Sequence, residues 1–192
     1  MIAPALVTIG AYLLGSVNFA ILIAQRRGVD VRAVGSGNPG ATNAGRALGK
    51  RTGRVVLLLD ALKGVIPVAA LRIAGVDKWW VAAAGVAAVV GHCFPIWHGL
   101  RGGKGAATGV GTLVAASPAA GAAAAVTYVV LEKLTKRASV GSLAGAAVGA
   151  GLLAAIEGIG PLAAMGAGVA AIIVLRHVDN IGRLVRGQEP PS

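Results

Sequence analysis

Long apolar blocks, separated by short polar ones, run the length of the chain. The first covers residues 2–24 and ends at Gln25-Arg26-Arg27. A polar stretch follows to residue 54, and a second apolar block covers 55–74. That block is interrupted by Asp60 and Lys63, whose spacing puts them on one helical face. After a short turn and the pair Trp79-Trp80, a third and shorter block runs over 81–94. A polar segment at 95–104 precedes an apolar stretch over 105–131, broken only by Ser117-Pro118. Blocks 140–156 and 161–175 lead to a polar tail, 176–192. A helix crosses the hydrocarbon core with about 20 apolar residues, whereas barrel strands read as short alternating segments. The pattern predicts an all-α integral membrane protein, one polytopic domain over 1–192. Its polar parts are loops 25–54 and 95–105 and the tail 176–192.

Composition agrees. The chain is 56% hydrophobic and 13% charged, against about 25% charged in soluble domains. Its thirty glycines suit helices that approach closely in lipid. The single cysteine, Cys93, excludes an intrachain disulfide and a cysteine metal cluster. The histidines form no i, i+4 pair, so no metal site is expected. The first block is too long, and too poor in basic flanks, for a cleavable signal.

Charge decides how the stretch 105–131 is divided. The net charge is +11. Two crossings there make seven in all and put fifteen basic residues on one side, against Arg72 and Lys78 on the other. One merged crossing gives nine against eight. The positive-inside bias favours seven transmembrane helices, several of them short, with the N-terminus outside and the C-terminus cytoplasmic. A membrane with its basic loops on the cytoplasmic side is the expected location. Basic residues flank the spans and form no aromatic-interleaved face, so nucleic acid is not an expected partner.

With seven crossings, the three chemically rich segments share the cytoplasmic side. The first, 35–46, satisfies G-x-G-x-x-G from Gly35 to Gly40, with Asp60 twenty residues beyond. A dinucleotide fingerprint needs a preceding strand and a βαβ unit. Here Asp60 lies in an apolar block and no strand is expected. The second segment contains Gly102-Gly103-Lys104-Gly105. It fails the Walker pattern, because His98 stands where the first glycine belongs and Gly105 follows the lysine. Glycine N–H groups and an ammonium at a helix start still suit a phosphate.

Together the three segments resemble the motifs of the bacterial acyl-phosphate-dependent glycerol-3-phosphate acyltransferases, the PlsY family. The first is Gly35-Ser36-Gly37-Asn38-Pro39-Gly40-Ala41-Thr42-Asn43 with Arg46. The second runs from Gly91-His92-Cys93-Phe94-Pro95 to Gly102-Gly103-Lys104-Gly105 and Thr108. The third is Arg176-His177-Val178-Asp179-Asn180-Ile181-Gly182-Arg183-Leu184 with Gly187 and Glu189. Arg101 departs from the family, which often has lysine there.

The resemblance implies transfer of a fatty acyl group from acyl phosphate to the sn-1 hydroxyl of glycerol 3-phosphate, the first step of phospholipid synthesis. Lysophosphatidic acid and phosphate are the implied products. Arg46 and Lys104 are the charged candidates for glycerol phosphate, with Gly102, Gly103 and Gly105 as backbone donors. Ser36, Asn38 and Asn43 are candidates for the acyl-phosphate head or its carbonyl oxygen, and Thr42 and Thr108 for further substrate contacts. His177 and Asn180 stand three apart and are candidates for the acceptor hydroxyl. His92 either holds the Phe94-Pro95 turn or touches substrate. Acyl phosphate is an activated donor, so no cofactor, metal or acyl-enzyme on Cys93 is expected. Asp60 with Lys63, and Glu189 with the basic tail, are expected as ion pairs, and His98 as an interfacial side chain. A monomer embedded in lipid is expected. The competing class, an anion transporter, needs polar groups through the midplane, where the blocks offer mainly alanine, glycine and leucine.

Overall fold

The first apolar block is not one straight helix. Ser16-Val17-Asn18 breaks it into α1 (Ile2–Ser16) and α2 (Phe19–Gln25), bent by 41°. Asn18 caps α2 by accepting from the Ile21 N–H at 3.0 Å, and donates to the Pro39 carbonyl at 3.1 Å. Lys63 donates to the Val17 carbonyl that the break leaves unpaired, at 2.9 Å. A buried carbonyl without such a partner would cost about 1–3 kcal/mol.

The computed structural model describes residues 2–192, and these contain helices and no strand. The polar stretch carries a short helix, α3 (Ala41–Leu48), before α4 (Lys50–Ile73). The helix α4 starts ahead of its apolar block, because Lys50-Arg51-Thr52 form its first turn. Asp77 opens α5 (Lys78–Cys93) by accepting from the Trp79 N–H at 2.8 Å. A 3-10 turn, Ile96–His98, leads to α6 (Ala106–Ala116). Ser117-Pro118 ends α6 and starts α7 (Pro118–Thr135), dividing the stretch as expected. Proline is well placed at a helix start, where its missing N–H has no intrahelical partner. Two further apolar helices, α8 (Ala138–Glu157) and α9 (Pro161–Arg176), precede α10 (Val178–Val185) in the tail, bent 61° from α9. By length and composition two helical stretches can cross a bilayer outright, Lys78–His98 and Ala138–Glu157, or four with each bent pair counted as one.

Small residues set the packing. A Cβ on Gly64 of α4 would lie 2.2 Å from the Thr108 carbonyl of α6, and one on Gly111 of α6 would lie 2.1 Å from the Ala61 carbonyl of α4. Those two helices therefore touch backbone to backbone. The buried core lies among α1 and α4 to α9, around Val68, Val89, Leu113, Leu153 and Met165. The helices α4 and α7 make no extensive contact with one another. The space between them belongs to the site.

Candidate active site

Asn43 organises the first polar segment. Its Nδ2 donates to the carbonyls of Val31 at 2.8 Å and Val34 at 2.9 Å, and its Oδ1 accepts from the Ser36 N–H at 3.0 Å. Gly35 and Gly37 have φ values of +59° and +67°, a conformation glycine adopts without penalty. The result is a tight loop that leaves Ser36 exposed while Asn43 is buried. The Asn43 amide is thus committed to the loop, and the side chains it presents outward are Ser36, Asn38 and Thr42. Arg46 follows in the last turn of α3 and donates to the Pro191 carbonyl of the C-terminal tail.

The second segment is built against the end of α5. The N–H groups of Gly102 and Gly103 donate to the carbonyls of Cys93 and His92, each at 3.1 Å. These are carbonyls that the helix end leaves free. A Cβ would fall 2.1 Å from the His92 carbonyl at Gly102 and 2.1 Å from His92 Nε2 at Gly103. The two glycines are therefore required for close approach. Their N–H groups, expected to face a phosphate, are already bonded; what the loop offers is Lys104 and the first turn of α6. Gly105 caps that turn with φ +83°.

Beneath this loop Lys63 lies 2.9 Å from Asp60 Oδ1, and His92 Nδ1 lies 3.6 Å from the same oxygen. Asp60 and Lys63 form the expected pair. His92 holds the turn through its carbonyl, and its ring packs against Gly103 while lining the cavity. Thr108 is buried, its Oγ1 has no hydrogen-bond partner, and it lines no cavity described below. Cys93 is likewise buried away from both cavities, which argues against it as a nucleophile.

The third segment joins the other two. Lys104 Nζ donates to Asn180 Oδ1. Asn180 Nδ2 donates to Glu189 Oε1 at 2.6 Å, and Arg183 Nε donates to Glu189 Oε2 at 2.8 Å. Glu189 thus pairs with the tail, as expected. Burial pushes its carboxyl up, but the hydrogen bonds from Asn180 and Arg183, with the Arg183 charge, outweigh that and hold it below the usual range. Burial lowers the Lys104 ammonium, with Glu189 opposing. His177 sits at the bend between α9 and α10, its Nδ1 2.8 Å from the Ile173 carbonyl. Burial brings its pKa down to about 4. The ring is therefore neutral near pH 7, with the Nδ1 proton on Ile173 and the Nε2 lone pair available.

These parts enclose a cavity of about 450 Å³. Ser36, Asn38, Thr42, Arg46, Lys104, His177 and Asn180 line its polar end. Leu57, Leu58, Val110, Leu113, Ala125 and Val129 line an apolar arm that runs between α4 and α7. Exposed Leu57, Leu58 and Val129 mark its open side. A second cavity of about 340 Å³ adjoins it through Ser36, Asn38, Lys104, Asn180 and Arg183. Arg32, Arg101 and Arg176 make this vestibule cationic, against one acid, Asp179. Such a field concentrates anions. Arg54, Tyr128 and Ser142 also line the large cavity. They stand alone within a basic loop or apolar blocks, and no spacing in the sequence singles them out. His98 lines neither cavity.

The glycerol-3-phosphate acyltransferase family model matches residues 5–187. The glycerol-3-phosphate acyltransferase of Anaeromyxobacter dehalogenans (strain 2CP-1) is 47% identical over 191 residues, 96% of this chain and 95% of that protein. That of Myxococcus xanthus is 45% identical over 187 residues, 96% and 97% of the two chains. The crystal structure of PlsY, an integral membrane glycerol 3-phosphate acyltransferase, in its glycerol 3-phosphate form, matches with a TM-score of 0.93 at 38% identity, covering 99% of this chain and 96% of that one. Its lysophosphatidic acid form matches with 0.91 at 37% identity, covering 98% and 95%. A cationic polar end opening into an apolar arm is what a phosphorylated acceptor and a fatty acyl group require, and the chain belongs to the glycerol-3-phosphate acyltransferase family, with the fold of integral membrane PlsY.

Proposed function

We propose that this protein transfers a fatty acyl group from acyl phosphate to the sn-1 hydroxyl of glycerol 3-phosphate, releasing lysophosphatidic acid and phosphate. One observation carries the reading: three polar segments far apart in sequence meet at a cationic cavity that continues into an apolar arm between helices. The two solved relatives are glycerol 3-phosphate and lysophosphatidic acid forms of PlsY, which fits the same acceptor and product here.

Arg46 and Lys104 take the glycerol phosphate, one as a fork of donors and the other as a point charge. Arg46 exchanges its tail carbonyl for the phosphate. Ser36 and Asn38 take the acyl-phosphate head, with Thr42 beside them, and the first turn of α6 adds the positive end of a helix. Gly102 and Gly103 serve by holding Lys104 in place, and Asn43 by shaping the loop around Ser36. The acyl chain lies in the arm and reaches lipid between α4 and α7.

His177 Nε2 accepts from the acceptor hydroxyl and aims its oxygen at the acyl carbonyl, with Asn180 beside it. That oxygen forms the new ester bond as the bond from carbonyl carbon to phosphate oxygen breaks. The proton goes to the departing phosphate, whose second pKa of about 6 makes it a better acceptor than a histidine held near 4. No acyl-enzyme, metal or cofactor enters. Catalysis rests on positioning and on charge placed in advance.

We also infer seven crossings, with the N-terminus outside and the site at the cytoplasmic face of the bacterial inner membrane. Parity supports this. The second and third segments share one site and are separated by α6, α7, α8 and α9, an even number only if α6 and α7 cross separately. All groups at the site come from one chain, which suits a monomer. The test is purified protein given acyl phosphate and glycerol 3-phosphate without acyl-CoA. Lysophosphatidic acid is expected, and folded protein that makes none overturns the reading.

A further inference from the structure

Arg176 sits at the last turn of α9, yet its side chain turns away to the glycine loop. Its Nε donates to the Gly103 carbonyl and its Nη2 to the Gly102 carbonyl, both at 3.2 Å. The guanidinium also lies 5.2 Å from the centre of the Phe94 ring, within cation–π range. On the other side of the loop the N–H groups of Gly102 and Gly103 are bonded to the end of α5, and the His92 ring fills the place of a Cβ at Gly103. The loop is thus gripped through both its N–H groups and both its carbonyls.

We propose that Arg176 is a positioning residue: it clamps Gly102 and Gly103 so that Lys104 is fixed at the substrate phosphate. The inference rests on the reading of Lys104 given above. A fork of donors is required, because two successive carbonyls and an aromatic face must be met at once, which a single ammonium does not do. Arg176 also lines the vestibule, so a direct charge on substrate is the rival role. The two roles differ in what lysine can replace.

The experiment compares full-length wild type, Arg176→Lys and Arg176→Ala in detergent by amide hydrogen exchange and steady-state kinetics. Positioning predicts that exchange at Gly102 and Gly103 accelerates in both variants. KM for glycerol 3-phosphate rises in both by about tenfold or more, and millimolar guanidinium lowers it again in Arg176→Ala. A direct charge predicts that Arg176→Lys keeps wild-type KM and slow exchange, and that result overturns the proposal. Unchanged exchange in Arg176→Ala overturns it too. If Arg176→Ala does not fold, Arg176→Lys is judged by the same two readouts. Wild type that makes no lysophosphatidic acid defeats the functional reading instead, while the exchange data still decide whether Arg176 holds the loop.

Discussion

Lys104 donates to the side-chain oxygen of Asn180, and this one bond joins the glycine loop to the tail helix. Asn180 passes the connection on to Glu189, which Arg183 also holds. An asparagine suits the link because it accepts from the ammonium and donates to the carboxylate at the same time.

Asn180→Ala is therefore expected to do two things. It frees Lys104, and it leaves one oxygen of the buried Glu189 without its donor. The loss of a buried partner costs about 1–3 kcal/mol, read as lower thermal stability in detergent. The kcat/KM for glycerol 3-phosphate should fall by about a hundredfold, as for a misplaced substrate group. Wild-type kcat/KM in a folded Asn180→Ala protein would show that the link is not part of the site.

The pH behaviour of His177 follows from its burial. Its folded pKa is about 4, below an unfolded value of about 6.5. The unfolded chain binds a proton first as pH falls, so this contribution is intact above about 6.5 and is lost progressively from there down to 4. A shift of that size is worth about 3 kcal/mol. Activity should show no inflection near 6.5 from this residue. His177→Gln should lower kcat by about a hundredfold and flatten the stability loss between pH 6.5 and 4. A wild-type inflection at 6.5 that disappears in His177→Gln would mean the ring titrates during turnover.

Glu189 acts in the opposite part of the scale. Its carboxyl is held below the usual range, so its stabilisation is present above the ordinary carboxylate pKa of about 4.3. That stabilisation disappears as pH falls through the lower, folded value. Glu189→Gln should remove this acid-limb loss and should reduce stability near pH 7, because the charge that Arg183 meets is gone. Thermal unfolding of both proteins from pH 3 to 8 checks it. Parallel curves would exclude Glu189 as the group responsible.

The apolar blocks, the division at Ser117-Pro118 and the meeting of three polar segments were legible in the sequence, because they rest on hydrophobic period, helix breakers and charge. The bends at Val17-Asn18 and His177 were not. The first depends on a partner distant in the chain, Lys63 on the Val17 carbonyl; the second rests on local bonds that residue type does not announce, His177 to the Ile173 carbonyl four residues back and Asn180 to Glu189. Residue type alone also suggested free N–H groups at Gly102 and Gly103. Only the structure reveals that the end of α5 takes them. Ser142 and Tyr128 reach the cavity because α7 and α8 wrap it, and an isolated serine or tyrosine in an apolar block gives no sign of that.

Thr108 separates sequence pattern from geometry most sharply. It belongs to the second motif, yet its hydroxyl is buried, unpartnered and outside both cavities. Removing an unpartnered buried hydroxyl while keeping the shape is nearly neutral or stabilising. Thr108→Val should therefore keep both KM values within about twofold of wild type and hold or raise thermal stability by up to about 1 kcal/mol. A selective rise in KM for either substrate would place the hydroxyl on a bound ligand.

The arm between α4 and α7 makes the last prediction. Ala125 of α7 lines it and is half-buried, so a larger side chain can enter the arm without forcing a packed interface apart. Ala125→Phe adds a ring where the acyl carbons are proposed to pass. A donor with a long chain should lose about 1–3 kcal/mol of transition-state binding, the range one to a few methylenes are worth in an apolar pocket. A donor too short to reach Ala125 should lose almost nothing. KM for glycerol 3-phosphate should stay near wild type, since the cations proposed for it, Arg46 and Lys104, lie at the polar end. The measurement is kcat/KM across acyl phosphates of increasing length for both proteins. An equal loss at every length would mean that the ring disturbs the polar end or the fold. No loss at any length would mean that the acyl chain leaves the site by another route.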